Sequence, residues 1–161
     1  MKNVLLIIFF MFFSLIGCSN SNDNMNILIT EKSLPSYFDE VASKSEQAPQ
    51  YKYLIKKVKT RLEYENEWKY FQLKNDIKDV DLANKDVIFI GLNESGSCPY
   101  GIEKLSIDYN KLLVTLKLPD GDCTTDSTPR VFVIDIPKDI SNQLSEVNII
   151  EGKVKTSIQI K

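Results

Sequence analysis

Val87-Ile88-Phe89-Ile90 is apolar at four consecutive positions, a pattern that fits a central strand buried on both faces and few other things. Further strand signals surround it. Leu112, Val114, Leu116 and Leu118 recur at period two, and Leu105 and Ile107 point one way, so 102–108 and 111–118 predict a hairpin through Tyr109-Asn110. Val131 to Ile136 predicts another strand, ended by Pro137, and 146–150 with 154–160 flank Glu151-Gly152 as a second hairpin. Ile27 to Thr30 reads as a short strand, and Tyr51 to Lys59 fits helix and strand templates but is enriched in the β-favouring Tyr, Ile and Val.

Two helices are expected. Ser33-Leu34-Pro35 has the form of a helix start with Ser33 as N-cap, followed by Leu34, Phe38 and Val41 on one face. Thr60-x-x-Glu63 is a capping-box pattern that opens a helix over 61–73, in which Tyr64, Trp68 and Phe71 form an aromatic stripe at core spacing. Trp68 is expected to pack on a sheet. The segments 42–50 and 74–86 read as polar connectors, the second anchored by Val80 and Leu82. The expectation is one α+β, mainly β domain over 27–161: a largely antiparallel sheet or small sandwich with one or two packed helices.

Met1-Lys2-Asn3 precedes an apolar run from Val4 to Ile16, broken only by Ser14. As helix that run spans about 20 Å, short of a hydrocarbon core of ~30 Å, so it reads as a secretory signal over 1–17 rather than a membrane span. Leu15-Ile16-Gly17-Cys18 resembles the lipobox of bacterial lipoproteins. The resemblance implies cleavage before Cys18, a diacylglyceryl group on its thiol, and an extracytoplasmic domain held to the bilayer by lipid. The polar stretch Ser19 to Asn26 then reads as a flexible tether within 18–26.

Composition excludes several classes of chemistry. The chain has no histidine, which removes Ser-His-Asp and Cys-His catalysis and His-ligated zinc. Its 20 basic and 22 acidic residues provide no field to grip nucleic acid. No P-loop, dinucleotide fingerprint or nucleophile elbow is present, and Glu63, Glu65 and Glu67 read as a solvated helix face, so no enzyme and no cofactor is expected.

With Cys18 lipidated, Cys98 and Cys123 remain, in an export compartment that permits disulfides. A structural bridge is the expected outcome, contributing roughly 3–4 kcal/mol by the chain-entropy model. A redox pair lacks both the C-x-x-C spacing and an adjoining cation, and free thiols or metal binding complete the alternatives. Asp120, Asp122 and Asp126 are weak candidates for Ca²⁺, or for a small ligand, on an acidic turn over 120–126. They lack the regular spacing and distal Glu of an EF-hand, and a plain Asp-Gly turn with Asp126 paired to Arg130 explains them better.

Gly96-Ser97-Cys98-Pro99, Cys123-Thr124-x-Asp126-x-Thr128-Pro129-Arg130 and Phe132-Val133-Ile134-x-Ile136-Pro137 resemble the signature of a group of small bacterial lipoproteins and secreted proteins. The resemblance covers about Val87 to Lys138 and implies an exported β-rich domain with a bridge between two loops. Loops on a rigid scaffold carry recognition, so Ser97, Tyr100, Asp126 and Arg130 are candidate contacts to an unidentified protein partner, with the bilayer as the second partner through Cys18.

Overall fold

The computed structural model describes residues 25–160; the segment 1–17 read as a signal, Cys18, and the stretch read as a tether as far as Asn24 lie outside the described residues. In chain order the elements are β1 (Asn26–Glu31), α1 (Phe38–Val41), β2 (Ser43–Lys44), β3 (Lys52–Val58), α2 (Arg61–Tyr70), β4 (Lys85–Glu94), β5 (Gly101–Asp108), β6 (Lys111–Lys117), β7 (Thr128–Pro137), α3 (Lys138–Ser141), β8 (Glu146–Glu151) and β9 (Val154–Gln159). They form two sheets, ordered β1-β7-β4-β3-β2 and β5-β6-β8-β9. The domain is therefore α+β and mainly β, as the strand signals predict. Every pairing is antiparallel except β6–β8, which run parallel because the chain crosses to the first sheet as β7 before returning.

The continuous apolar run of β4 has a direct cause. Ile88, Ile90 and Leu92 pack with Phe132, Ile134 and Ile136 of β7 against Leu112, Val114, Leu116, Val147 and Ile149 of the second sheet. The alternate residues Val87 and Phe89, with Val131 and Val133 of β7, face a second core under α2. The first sheet is thus covered on both sides, and its central strands have no solvent face. β6 has one face in the inter-sheet core and keeps the period-two alternation as far as Leu116; Leu118 lies beyond the strand and is 44% exposed.

Helix α2 begins where the capping box predicts. Thr60 Oγ1 accepts from the Glu63 amide at 3.2 Å, and the Glu63 carboxylate accepts from the Thr60 amide at 3.1 Å. Tyr64, Trp68 and the C-cap Phe71 are buried around Phe89, with Phe71 stacked on that ring at 5.2 Å and Trp68 meeting it edge-on at 6.5 Å. A Cβ on Gly91 would stand 2.6 Å from Leu34 and 3.0 Å from Phe71, so glycine is what lets this layer settle on β4.

Several expectations are corrected. Ser33 does not cap a following helix; its hydroxyl donates to the carbonyl of Phe71 at 2.6 Å and so closes the C-terminal end of α2. The helix after it is a single turn beginning at Phe38, and Val41 is exposed rather than sharing a buried face. Within 42–50, Ser43–Lys44 pairs with β3. Pro137 ends a strand but leads straight into α3, whose short turn places Ser141 in a bond to buried Asp86 at 2.6 Å. Asn26, expected as the last residue of the polar stretch, instead starts β1: its backbone and side-chain N–H groups both donate to Asp135 at 3.0 Å. Val80 is buried and Leu82 packs beside it, as anchors of the connector.

Phe89 is fully buried at the centre of the aromatic cluster. We predict that Phe89→Ala costs about 3–5 kcal/mol, from lost transfer free energy plus a cavity. Leu62→Ala, on the exposed side of α2, is expected to stay within about 0.5 kcal/mol of the parent. Urea unfolding of both variants measures the difference.

Candidate functional site

The inward row of β4 does not end where its apolar residues end. Glu94 continues the row of Ile88, Ile90 and Leu92, and its side chain is fully buried. Arg130, on the inward row of β7, answers it. Its Nε and Nη2 donate to one Glu94 oxygen at 2.9 and 2.6 Å, and the other oxygen accepts from the Tyr100 amide at 2.7 Å. A buried carboxylate needs such partners, because desolvating it unpaired is expensive. The pair also draws the loop after β4 down onto the end of the sandwich.

Beside this pair lies a second carboxylate. Glu151 ends β8 on the inward side, 6% exposed. Its two oxygens accept from Tyr53 at 2.7 Å and Tyr100 at 2.5 Å. Burial, and behind it the bond to Glu151, raise both phenols well above the ordinary tyrosine range, so they remain protonated donors. Tyr51 stands next to the same carboxylate, raised by burial and then by its charge. Tyr51 and Tyr53 occupy alternate positions of one chain segment, which puts both on the inward side.

The roof is built from the two cysteine loops. Cys98 and Cys123 are joined, with Cα atoms 5.6 Å apart. Around the bridge, Ser97 Oγ accepts from the Thr124 amide at 2.9 Å, Ser95 Oγ lies 3.0 Å from Thr124 Oγ1, and the Gly96 amide donates to Asp126 at 3.2 Å. Asp126 also accepts from the hydroxyls of Thr124 and Thr128. The Thr124 hydroxyl first, then the Gly96 amide, hold the Asp126 carboxyl below its usual range. A Cβ on Gly96 would overlap that carboxylate, so the loops close only over glycine. Beneath them a cavity of about 240 Å³ is walled by Tyr51, Tyr100, Leu118, Pro119 and the disulfide, with Glu151 in its lining.

The predicted site residues divide clearly. Cys98 and Cys123 form the expected bridge. Ser97 and Asp126 lie on the exposed loops, and Tyr100 turns inward to Glu151. Asp126 does not pair with Arg130. Arg130 is buried and belongs to Glu94, because it sits on the inward row of β7 while Asp126 precedes the strand on the surface. Asp120, Asp122 and Asp126 do not converge: among the described residues no three Asp, Glu, Cys or His side chains gather as a metal cage, and Asp126 is committed to hydroxyls and an amide. Cys18 lies outside the described residues.

Tyr51, Tyr53, Glu94 and Glu151 are not singled out by sequence. Tyr51-x-Tyr53 on a strand was a readable signal for two phenols on one face, and Glu94 terminates a long apolar run; Glu151 carries no local signal. Comparison with protein-family models, with curated proteins and with solved structures returns no match to this chain.

Removing Arg130 alone strands the Glu94 charge. We predict that Arg130→Ala costs about 3–5 kcal/mol, whereas Glu94→Leu combined with Arg130→Met recovers most of it, as measured by urea titration and a double-mutant cycle. The phenols give a pH signature. Their ionisation is held above the unfolded value of about 10, so the stability they supply is complete below that pH and declines as pH rises beyond it. In Tyr53→Phe the fall in urea midpoint between pH 9.5 and about 11 is expected to be shallower than in the parent.

Proposed function

We propose that this chain is an extracytoplasmic lipoprotein, anchored through a diacylglyceryl group on Cys18, whose domain serves as a non-catalytic binding or accessory module. The observation that carries the reading is the polarity of the domain. Asn26, where the chain from Cys18 enters, pairs with Asp135, while Glu94 pairs with Thr128 at the other end of β7. At about 3.4 Å per residue the entry point and the Glu94 level stand roughly 24 Å apart along the strand. An anchor at Cys18 therefore holds the domain by one end and leaves the bridged loops at the other.

The construction of that end supports a binding role. Its loops are braced by a disulfide and by hydroxyl bonds, which lowers the ordering cost of binding a partner. A lipid anchor adds local concentration at the membrane surface. Among the described residues no helix is long and apolar enough to cross a membrane.

The test has two parts. Full-length protein is expected to enter the detergent phase on phase partitioning, and an anchorless form, Cys18→Ser with residues 1–17 replaced by an ordinary cleavable secretory signal, to remain in the aqueous phase with an unchanged melt. In-cell cross-linking and mass spectrometry are then expected to give one dominant partner, lost in the folded Cys98→Ser/Cys123→Ser variant and weakened in the anchorless form. Equal partitioning of parent and anchorless form would sink the anchor; capture indifferent to the bridged loops would sink the display of this end.

A further inference from the structure

Two buried carboxylates share this end of the sandwich, and only one has a cation. Glu94 is paired with Arg130 at 2.6 Å. No Lys or Arg among the described residues forms an ion pair with Glu151. Glu151 accepts two phenol hydrogens, one on each oxygen, and a carboxylate offers about four acceptor positions. It lines the cavity with acceptor capacity left over.

The remaining walls specify what fits. Tyr51 and Tyr100 supply aromatic rings, Leu118, Pro119 and the bridge supply apolar surface, and the volume is about 240 Å³. That is below the ~300–1,000 Å³ of pockets that enclose whole drug-sized ligands, so the cavity suits one side-chain-sized group. A negative acceptor flanked by aromatic rings favours a cationic head, through charge and through the ring quadrupole. The choice between the two cationic side chains follows from geometry. A guanidinium binds best with both oxygens of a carboxylate free for its planar fork, and here each oxygen already holds a phenol. A compact ammonium on an apolar stem needs no such fork.

We propose that the cavity receives a lysine side chain of a protein partner, its ammonium meeting Glu151 and its methylenes lying against Tyr51, Tyr100, Leu118 and Pro119. The proposal rests on the reading of this end as a displayed binding surface, and it adds the chemistry that the surface selects.

The experiment is an NMR titration of the full-length chain in detergent micelles with three probes: acetyl-Gly-Lys-Gly-amide, its norleucine counterpart and n-butylammonium. The lysine peptide is expected to shift the amides of Cys98, Tyr100, Leu118 and Gly152 saturably, and norleucine to bind at least tenfold more weakly. Glu151→Gln is expected to lose the same factor. Leu118→Trp, which fills the cavity from an exposed position and leaves the carboxylate untouched, is expected to block binding and guards against a Glu151 variant that fails to fold. Absence of saturable shifts, or equal binding of the norleucine peptide, overturns the proposal. Binding of n-butylammonium with exclusion of the lysine peptide also overturns it, in favour of a free amine. Partner capture in cells that persists while the lysine peptide fails refutes the ligand class and leaves the display intact; lysine binding without capture does the reverse.

Discussion

The ladder between β4 and β7 is the constraint on which the rest of the domain depends. It runs unbroken from Lys85 opposite Pro137 to Glu94 opposite Thr128. One row of its side chains belongs to the inter-sheet core and the alternate row to the core under α2. A slip of one residue would send Phe89 into the sandwich and Ile88 and Ile90 towards the helix, so both cores fix the same register. The aromatic layer depends on it further, since Gly91 must lie under Leu34 and Phe71 for that layer to seat at all.

The same alternation carries charge into the interior at both ends. On β4, Asp86 precedes Ile88 and Glu94 follows Leu92 on one row, and both are buried. Asp86 takes a hydroxyl from Ser141 of α3, with Lys138 at 4.0 Å. Glu94 takes Arg130 and the Tyr100 amide. Buried ion pairs are poor sources of net stability, because desolvation offsets most of the attraction. What Glu94 does provide is position: it fixes the backbone of Tyr100, and Tyr100 in turn reaches Glu151. Strand β8 of one sheet is thereby joined to the paired strands β3 and β4 of the other at one end, through polar bonds rather than packing.

Much of the fold is legible in the sequence, because it rests on local periodicity. The doubly covered strand, both hairpins, the capping box and the aromatic stripe each reflect a pattern within a few residues. The bridge follows from counting cysteines. The misreadings arise where a side chain is committed to something distant. Ser33 looks like an N-cap, yet its partner is the carbonyl of Phe71, reached only once α2 lies on the sheet. Arg130 looks paired with Asp126, four residues away, yet strand alternation turns it to Glu94 on the neighbouring strand. The parallel β6–β8 pair depends on the chain leaving for the other sheet, and no local signal encodes that. The Glu151 cluster joins residues 98 positions apart, as in its bond to Tyr53, so composition and spacing alone do not reveal it.

The cysteine loops differ from everything beneath them in what holds them. From Gly121 to Ser127 every residue is exposed, and the segment offers almost no apolar surface to bury. Such a loop does not order itself by the hydrophobic effect; it needs covalent and polar ties. The bridge to Cys98, the Ser95–Ser97–Thr124 hydroxyls and the Gly96–Asp126 contact provide them. The core rests on apolar packing that these ties hardly touch, whereas the shape of the cavity rests on them directly, since both cysteines are in its wall. The shape of the cavity therefore depends on ties at the loops that apolar packing alone would not supply.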